Sequence, residues 1–185
     1  QGDYVVLFDS DDLMTEDHLQ VKYDLVISGD YDFAVTRTKY FNYTNEFIDK
    51  YYNFTTQDIT KENYILQRIN WLTLDVIIKS EVLEKLRFNE NIQSGQEYNF
   101  FSKLVYTTEK AVFKNKIVSL RRHHDNSKRT VTAAGKLKGK SVAITTWFTF
   151  YETKAFLTES ISKQLLSKIY TLIIGYKKIP KEINP

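Results

Sequence analysis

Three carboxylates stand together near the start of the chain. The stretch "LFDSDD" places Asp9, Asp11 and Asp12 directly after the apolar run Val5–Phe8, which has the length of a short buried strand. Neighbouring carboxylates repel one another, but their oxygens are the ligands that Mg²⁺ and Mn²⁺ prefer. Asp9 and Asp11 could reach a common ion at the end of this strand. A solvated surface turn and a catalytic carboxylate pair are the alternatives.

The residues that follow predict a strand–helix–strand unit. Thr15 can cap a helix that ends at Gly29, and Asp32–Phe41 has the composition of a second strand. Four apolar residues recur at the spacing of one helix face: Leu19, Tyr23, Val26 and Ile27. This order predicts a mixed or parallel α/β sheet, in which ligands bind beyond the carboxyl ends of the strands. The acidic turn belongs at such an end.

Further elements are predicted from periodicity alone. Alternation in Trp71–Lys79 predicts a strand, a helix is expected from about Gln96, and "KAVFKNKIVSLRRHH" predicts one or two short strands. Residues 126–140 are basic and lack an apolar period, which predicts a flexible loop. Two helices are expected between Ser141 and Tyr176. The predicted organisation is a body at 1–125, this loop at 126–140 and a helical tail at 141–185.

Composition narrows the classes of function. The chain has 185 residues, and its 26 basic and 23 acidic side chains leave a net charge of +3, so no nucleic-acid partner is predicted. It contains no cysteine, which excludes disulfides and thiolate metal sites. We find no secretory leader and no apolar run long enough to span a membrane. A cytoplasmic location is expected.

Two known motifs with an acidic turn fit the sequence poorly. An EF-hand loop starting at Asp9 needs glycine at its sixth position and glutamate at its twelfth, where this chain has Met14 and Gln20. "FDSDDL" resembles the first motif of haloacid-dehalogenase-type phosphatases, with Asp9 as nucleophile. The distal acidic motif of that family is matched only by Gly29 and Asp30 in "SGDYDFA". The phosphatase remains an alternative.

A third family fits better. The segment "QGDYVVLFDSDDLMTEDHL" resembles the D-x-D region of family 2 glycosyltransferases, which use nucleotide-sugar donors and have the GT-A fold. The matching residues are Gly2, Asp3, Tyr4, Asp9, Asp11, Asp12 and Leu19. The resemblance implies that Asp9 and Asp11 hold Mn²⁺ or Mg²⁺ on the donor diphosphate. Asp12 would assist at the diphosphate.

Two later segments extend the resemblance. "SGQEYNFF" resembles the Gly-Glu-Asp-aromatic motif that opens a helix in this family, with Glu97 in place of the aspartate that acts as catalytic base. "RRHHDNS" resembles the Arg-x-His-x-x-Ser segment that follows the last core strand. The resemblance implies that His124 completes the metal shell, while Arg122 and Ser127 bind the diphosphate.

The implied protein is the carboxyl half of a GT-A catalytic domain, an α/β mixed sheet flanked by helices and followed by a helical tail, without the nucleotide-binding half. It would transfer a sugar with inversion to a glycan or lipid-linked acceptor. Acceptor sugar rings would pack on Trp71, Tyr40 and Tyr43. An unpaired sheet edge predicts a homo-oligomer, and the lysine-flanked segment Ile161–Ile174 could contact the inner face of a membrane. A non-catalytic carbohydrate- or partner-binding module is the remaining alternative.

Overall fold

The computed structural model describes residues 2–124, 136–176, 179–181 and 183. The strands are β1 (Tyr4–Val6), β2 (Leu13–Met14), β3 (Phe33–Tyr40), β4 (Val76–Lys79) and β5 (Ala111–Arg121). The helices are α1 (His18–Ile27), α2 (Lys61–Ile65), α3 (Ser80–Leu83), α4 (Gln96–Thr107), α5 (Lys136–Thr153) and α6 (Glu159–Tyr176). Short 3₁₀ turns are found at Asp49–Tyr52, Thr56–Asp58, Thr73–Asp75 and Lys154–Phe156.

The chain forms two compact units. The first comprises Gln1–Leu86 and Thr107–His124 and contains all five strands, whereas the second comprises Arg87–Tyr106 and Asp125–Pro185. Helix α4 therefore belongs, almost entirely, to the same unit as the two C-terminal helices. Helix α5 begins at Lys136, inside the segment for which the composition predicts a loop, and the rest of that segment lies outside the described residues.

The first unit is built on one mixed sheet in the order β1-β4-β3-β5-β2. Strands β3 and β5 run parallel, and every other neighbouring pair is antiparallel. The predicted mixed α/β architecture is confirmed. The parallel pair ends at the partners Tyr40 and Arg121, so the carboxyl ends of these strands lie side by side. Strand β1 occupies one edge of the sheet, and β4 is its one neighbour.

Helix α1 forms close to its predicted position, but it begins at His18 with Asp17 rather than Thr15 at the N-cap position, and it buries a different face. His18, Lys22 and Val26 are buried, whereas Leu19, Tyr23 and Ile27 are 57%, 44% and 49% exposed. The predicted apolar face was therefore wrong except at Val26. The polar residues are accommodated because the Lys22 ammonium donates to the Leu74 carbonyl at 2.5 Å and the His18 Nδ1 lies 2.9 Å from the Val118 carbonyl oxygen.

The segment predicted as a strand at Trp71–Lys79 is a strand only from Val76 onward. Its first part turns because the fully buried Asp75 carboxylate accepts the Leu72 backbone N–H at 2.7 Å. The same carboxylate accepts the Tyr52 hydroxyl at 2.8 Å and the Thr38 hydroxyl at 2.5 Å. Burial raises the pKa of Asp75 to about 6 and lowers the pKa of Lys22 to about 7.

Among the described helices, none has the length and the apolar content needed to cross a membrane. Helix α6 does carry an exposed row of large apolar side chains at a spacing of four residues, made of Leu166, Tyr170 and Ile174. Peripheral membrane contact through this helix stays a prediction, and so does a cytoplasmic location.

Candidate functional site

The three carboxylates after β1 form one compact group. The chain reverses there because the Asp12 backbone N–H donates to the Asp9 carbonyl at 3.2 Å. One oxygen from each of Asp9, Asp11 and Asp12 lies within 4.8 Å of the others, a separation that a single cation can bridge. Asp9 and Asp11 are exposed, whereas Asp12 is buried with 8% of its surface accessible. We call these residues the acidic turn.

Strand pairing brings the acidic turn to the end of β5. In the antiparallel pair of β2 and β5, Leu13 lies opposite Leu120, so Asp12 and Asp11 continue toward Arg121 and Arg122. The Arg122 backbone N–H donates to Asp12 Oδ1 at 2.8 Å, and the Arg122 Nε donates to the Asp11 carbonyl at 3.1 Å. The structure thus joins two motifs that lie 110 residues apart.

The imidazole of His124 also contacts the acidic turn. The pKa values of Asp11 and Asp12 are shifted in opposite directions. His124 Nε2 lies 2.6 Å from Asp11 Oδ2, and this hydrogen bond lowers the pKa of Asp11. Burial raises the pKa of Asp12, although the Arg122 backbone N–H opposes the effect. The Asp12 Oδ2 atom is buried and has no hydrogen-bond partner among the described residues. One acceptor of the acidic turn is therefore unused within the described part of the chain.

The loop after β3 holds the other side of this segment. The Phe41 backbone N–H donates to the Arg121 carbonyl at 3.2 Å, continuing the parallel ladder. Asn42 then binds the His123 backbone twice, since its Oδ1 accepts the N–H at 2.7 Å and its Nδ2 donates to the carbonyl at 2.9 Å. The sequence pattern did not identify Asn42. Its position directly after a predicted strand was the only signal that could have done so.

Aromatic rings lie beside the hydrogen bonds between Asn42 and the His123 backbone. The Tyr43 ring stacks on the His123 ring with centroids 3.9 Å apart and planes 10° apart. The Tyr40 ring meets both edge-on, with centroid distances of 5.6 Å to His123 and 6.0 Å to Tyr43. Tyr43 is exposed. Two of the predicted acceptor platforms thus adjoin the segment that contacts the acidic turn, and their role stays a prediction.

Trp71, the third predicted platform, has no face available for a sugar. Its ring is packed against the rings of Tyr64, Phe33 and Phe54, with centroid distances of 4.2, 6.1 and 6.2 Å. Only 2% of its surface is exposed. This burial favours core packing over the predicted role in acceptor binding, because the indole supplies apolar area to the core of the first unit.

The remaining predicted site residues lie outside the first unit. Glu97 is in the first turn of α4, within the second unit, and its side chain is exposed. An acidic residue is favoured at this position by the helix dipole as well as by a catalytic role. Its assignment as base stays a prediction. Ser127 lies outside the described residues.

Comparison with known proteins gives a structural answer. The sequence matches no protein-family model and no curated protein. The crystal structure of Staphylococcus aureus TarS 1–349 matches with a TM-score of 0.66 at 16% identity, over 95% of this chain and 48% of that chain. The same TarS segment in complex with UDP-GlcNAc matches with a TM-score of 0.67 at 16% identity, over 95% and 50% of the two chains. Its complex with UDP matches with a TM-score of 0.65 at 16% identity, over 98% and 52%.

These matches concern the fold. TarS is a glycosyltransferase, and this chain spans about half the length of the TarS structures that it matches. The likeness does not favour the phosphatase alternative. The five-stranded mixed sheet with its flanking helices is therefore a glycosyltransferase fold, as the resemblance to the D-x-D region implied.

Proposed function

We propose that this chain is the metal- and acceptor-binding side of a family 2, GT-A glycosyltransferase domain. The domain would transfer a sugar, with inversion, from a nucleotide-diphosphate donor to a hydroxyl of a glycan or lipid-linked acceptor. The observation that carries the proposal is the set of hydrogen bonds between the acidic turn and Arg122–His124 in a glycosyltransferase fold. Both halves of this contact come from motifs that resemble the family.

The residues of the acidic turn fit Mn²⁺ or Mg²⁺. Their oxygens lie within 4.8 Å of one another, and Asp12 Oδ2 is buried without a hydrogen-bond partner in the described part of the chain. Asp9, Asp11 and His124 would hold the ion, because carboxylate oxygens and imidazole suit these metals. When bound, such an ion offsets the negative charge that develops on the departing diphosphate.

The other roles follow from the reaction. The acceptor oxygen attacks the anomeric carbon, the bond from that carbon to the diphosphate breaks, and Glu97 takes the proton of the acceptor hydroxyl. The exposed Glu97 carboxylate is open to an incoming acceptor. The Arg122 guanidinium is held by its Nε on the Asp11 carbonyl and lies 5.1 Å above the Phe41 ring, so its orientation beside the acidic turn is fixed. It would contact the diphosphate.

The donor and acceptor classes rest on separate observations. TarS has been crystallised with UDP-GlcNAc and with UDP, which supports a nucleotide-sugar donor for this fold. The exposed Tyr43 ring, stacked on His123 next to the acidic turn, supports an acceptor that presents sugar rings. Tyr40 would contribute the edge of the same platform.

The test is metal-dependent turnover in the full-length protein, measured as donor hydrolysis and transfer across a panel of nucleotide sugars. We expect activity to require Mn²⁺ or Mg²⁺ and to fall roughly a hundredfold or more in Asp11→Ala. Asp24→Ala, which changes an exposed aspartate of α1, is the matched control and should keep full activity.

Three outcomes would contradict the proposal in different places. Full activity in the presence of EDTA would show that the reaction does not require a divalent metal ion. Sugar binding without turnover on any donor would favour the non-catalytic carbohydrate-binding module. Transfer at a near-normal rate in Glu97→Gln would remove the base assignment and leave the acidic turn unaffected.

A further inference from the structure

The turn that leads into helix α4 is fastened to helix α5 within the second unit. The Thr145 Oγ1 of α5 lies 2.7 Å from the Ser94 carbonyl oxygen and donates to it. Gly95 follows with a φ of +81°, a conformation that side-chain-bearing residues rarely adopt. A Cβ atom at Gly95 would also lie only 3.2 Å from the Thr145 Cγ2. The turn is thus packed tightly against one threonine.

A second contact joins the two helices one turn further along. The Asn99 side chain is fully buried, and its Nδ2 donates to Glu152 Oε2 at 2.9 Å and approaches Thr149 Oγ1 at 3.3 Å. The other carboxylate oxygen of Glu152 accepts the Asn89 Nδ2 at 2.6 Å. Helix α5 therefore binds the segment before α4 as well as the helix itself.

The two contacts lie on either side of Glu97, at Ser94, three residues before it, and at Asn99, two residues after it. Gly95 precedes it and Asn99 follows it, and the Asn99 backbone N–H donates to the Gly95 carbonyl across this turn at 3.3 Å. Gly95 directly precedes α4 and Asn99 lies in its first turn, where its side chain is buried, whereas the side chain of Glu97 is exposed. The backbone under the Glu97 carboxylate is held at two points while its side chain stays accessible.

We propose that α5 sets the position of the Glu97 carboxylate, and that Thr145 is the positioning residue through which it does so. The proposal rests on the proposed role of Glu97 as catalytic base. A base must lie within hydrogen-bond reach of the proton it removes, and a displacement of about 1 Å can cost two orders of magnitude in rate. Helix α5 then orients the proposed base rather than serving only as an appendage.

The chain offers a closely matched control in the next residue. Thr146 is 1% exposed and Thr145 is 5% exposed, so both are buried on α5. The Thr146 hydroxyl donates to the Val142 carbonyl of its own helix at 2.7 Å. The Thr145 hydroxyl lies near its own helix carbonyl too, 3.0 Å from the Ser141 oxygen, but it also anchors Ser94. Replacement of either threonine by valine removes one buried hydroxyl group. Only the replacement of Thr145 removes the hydrogen bond to the Ser94 carbonyl and frees the turn before α4.

The experiment compares Thr145→Val, Thr145→Ser and Thr146→Val in the full-length protein. We expect Thr145→Val to lower kcat about tenfold, because the freed turn would displace the Glu97 carboxylate, with KM for the donor unchanged. Thr145→Ser should restore kcat, and Thr146→Val should keep it. A merely structural role would lower the melting temperature of Thr145→Val but leave its kcat at the parent value.

A second measurement does not depend on activity. Amide hydrogen exchange of the peptide containing residues 94–99 should be faster in Thr145→Val than in the parent, and unchanged in Thr146→Val. Equal exchange and equal kcat in the two valine variants would overturn the inference. Faster exchange in Thr145→Val with an unchanged kcat would also overturn it, provided that Glu97→Gln is inactive. If Glu97→Gln is active, the base assignment of the proposed function fails instead, and the positioning role falls with it.

Discussion

Two carboxylate sites in the first unit are built in opposite ways. Asp75 is fully buried, and its oxygens accept three donors from different parts of the chain: the Leu72 backbone, Tyr52 and Thr38. In the acidic turn, the Asp11 side chain is 49% exposed with His124 on one oxygen, and Asp12 Oδ2 has no partner among the described residues. A carboxylate whose acceptors are all used serves the fold. One with unused acceptors can serve a ligand.

The pKa shifts separate the sites further. Burial raises the pKa of Asp75 to about 6 in spite of its donors, whereas the hydrogen bond from His124 lowers the pKa of Asp11. Asp75 has a compensating cation in Lys22, which lies equally deep and whose field favours the charged form of Asp75. An acidic residue next to a strand does not by itself indicate a ligand-binding site. Its burial and the number of its hydrogen-bond donors distinguish a structural carboxylate from one that can bind a ligand.

The largest effect on stability is expected at Asp75. Asp75→Asn puts an amide NH₂ among hydroxyl and N–H donors and leaves Lys22 buried without its compensating charge, so it should reduce the free energy of unfolding by about 3 kcal/mol. Urea denaturation measures this. Asp11→Asn is the matched control and should leave stability within about 0.5 kcal/mol. An equal loss in both variants would erase the distinction between the two sites.

A smaller effect is expected at Asn42, which contacts the His123 backbone and does not touch the carboxylates of the acidic turn. Asn42→Ala removes both side-chain contacts to the His123 backbone and frees the residue before His124. Loss of such an orienting partner should weaken Mn²⁺ binding about tenfold, as measured by isothermal titration calorimetry. Asn53→Ala, at another exposed asparagine, should bind as the parent does. Unchanged affinity in Asn42→Ala would show that the hydrogen bonds between Asn42 and the His123 backbone do not orient His124 for metal binding.

A third effect is expected on the pH dependence of stability. Because burial lowers the pKa of Lys22 from 10.5 to about 7, the unfolded chain binds one more proton than the folded chain between these values. The free energy of unfolding should therefore rise with pH from 7 to 9 through this group. Lys22→Met should flatten that rise, and Lys50→Met, at an exposed lysine, should not. Parallel curves for the parent and Lys22→Met would show that Lys22 is charged in the folded protein throughout.

Local pattern was enough to predict much of the first unit. An apolar run followed by acids predicted a strand at Val5–Phe8, of which Val5 and Val6 belong to β1, and the turn after it. In the second unit, the helix expected from about Gln96 begins at that residue. The mixed sheet followed from the strand–helix–strand order. Each of these features depends on residues that are close in the sequence, where periodicity and capping carry the information.

Features that depend on distant partners were missed. The burial of Lys22 could not be predicted from α1, because the carbonyl that receives it belongs to Leu74, 52 residues away. The burial of Trp71, which was predicted to bind sugar rings, depends on packing partners from three separate segments: Phe33, Phe54 and Tyr64. Asn42 was overlooked for the same reason, since its partner His123 lies 81 residues further on. Composition records the polarity of a residue but not the atom that satisfies it.

The exposed row on α1 has a practical consequence. Leu19, Tyr23 and Ile27 form an exposed apolar ridge. The Tyr23 ring contacts the Tyr4 ring of the edge strand β1, with centroids 5.5 Å apart. A strand that joined β1 would therefore shield part of this ridge in the same event. At high concentration the purified polypeptide should increase the fluorescence of hydrophobic dyes. It should also elute from a size-exclusion column earlier than a monomer of 21.8 kDa.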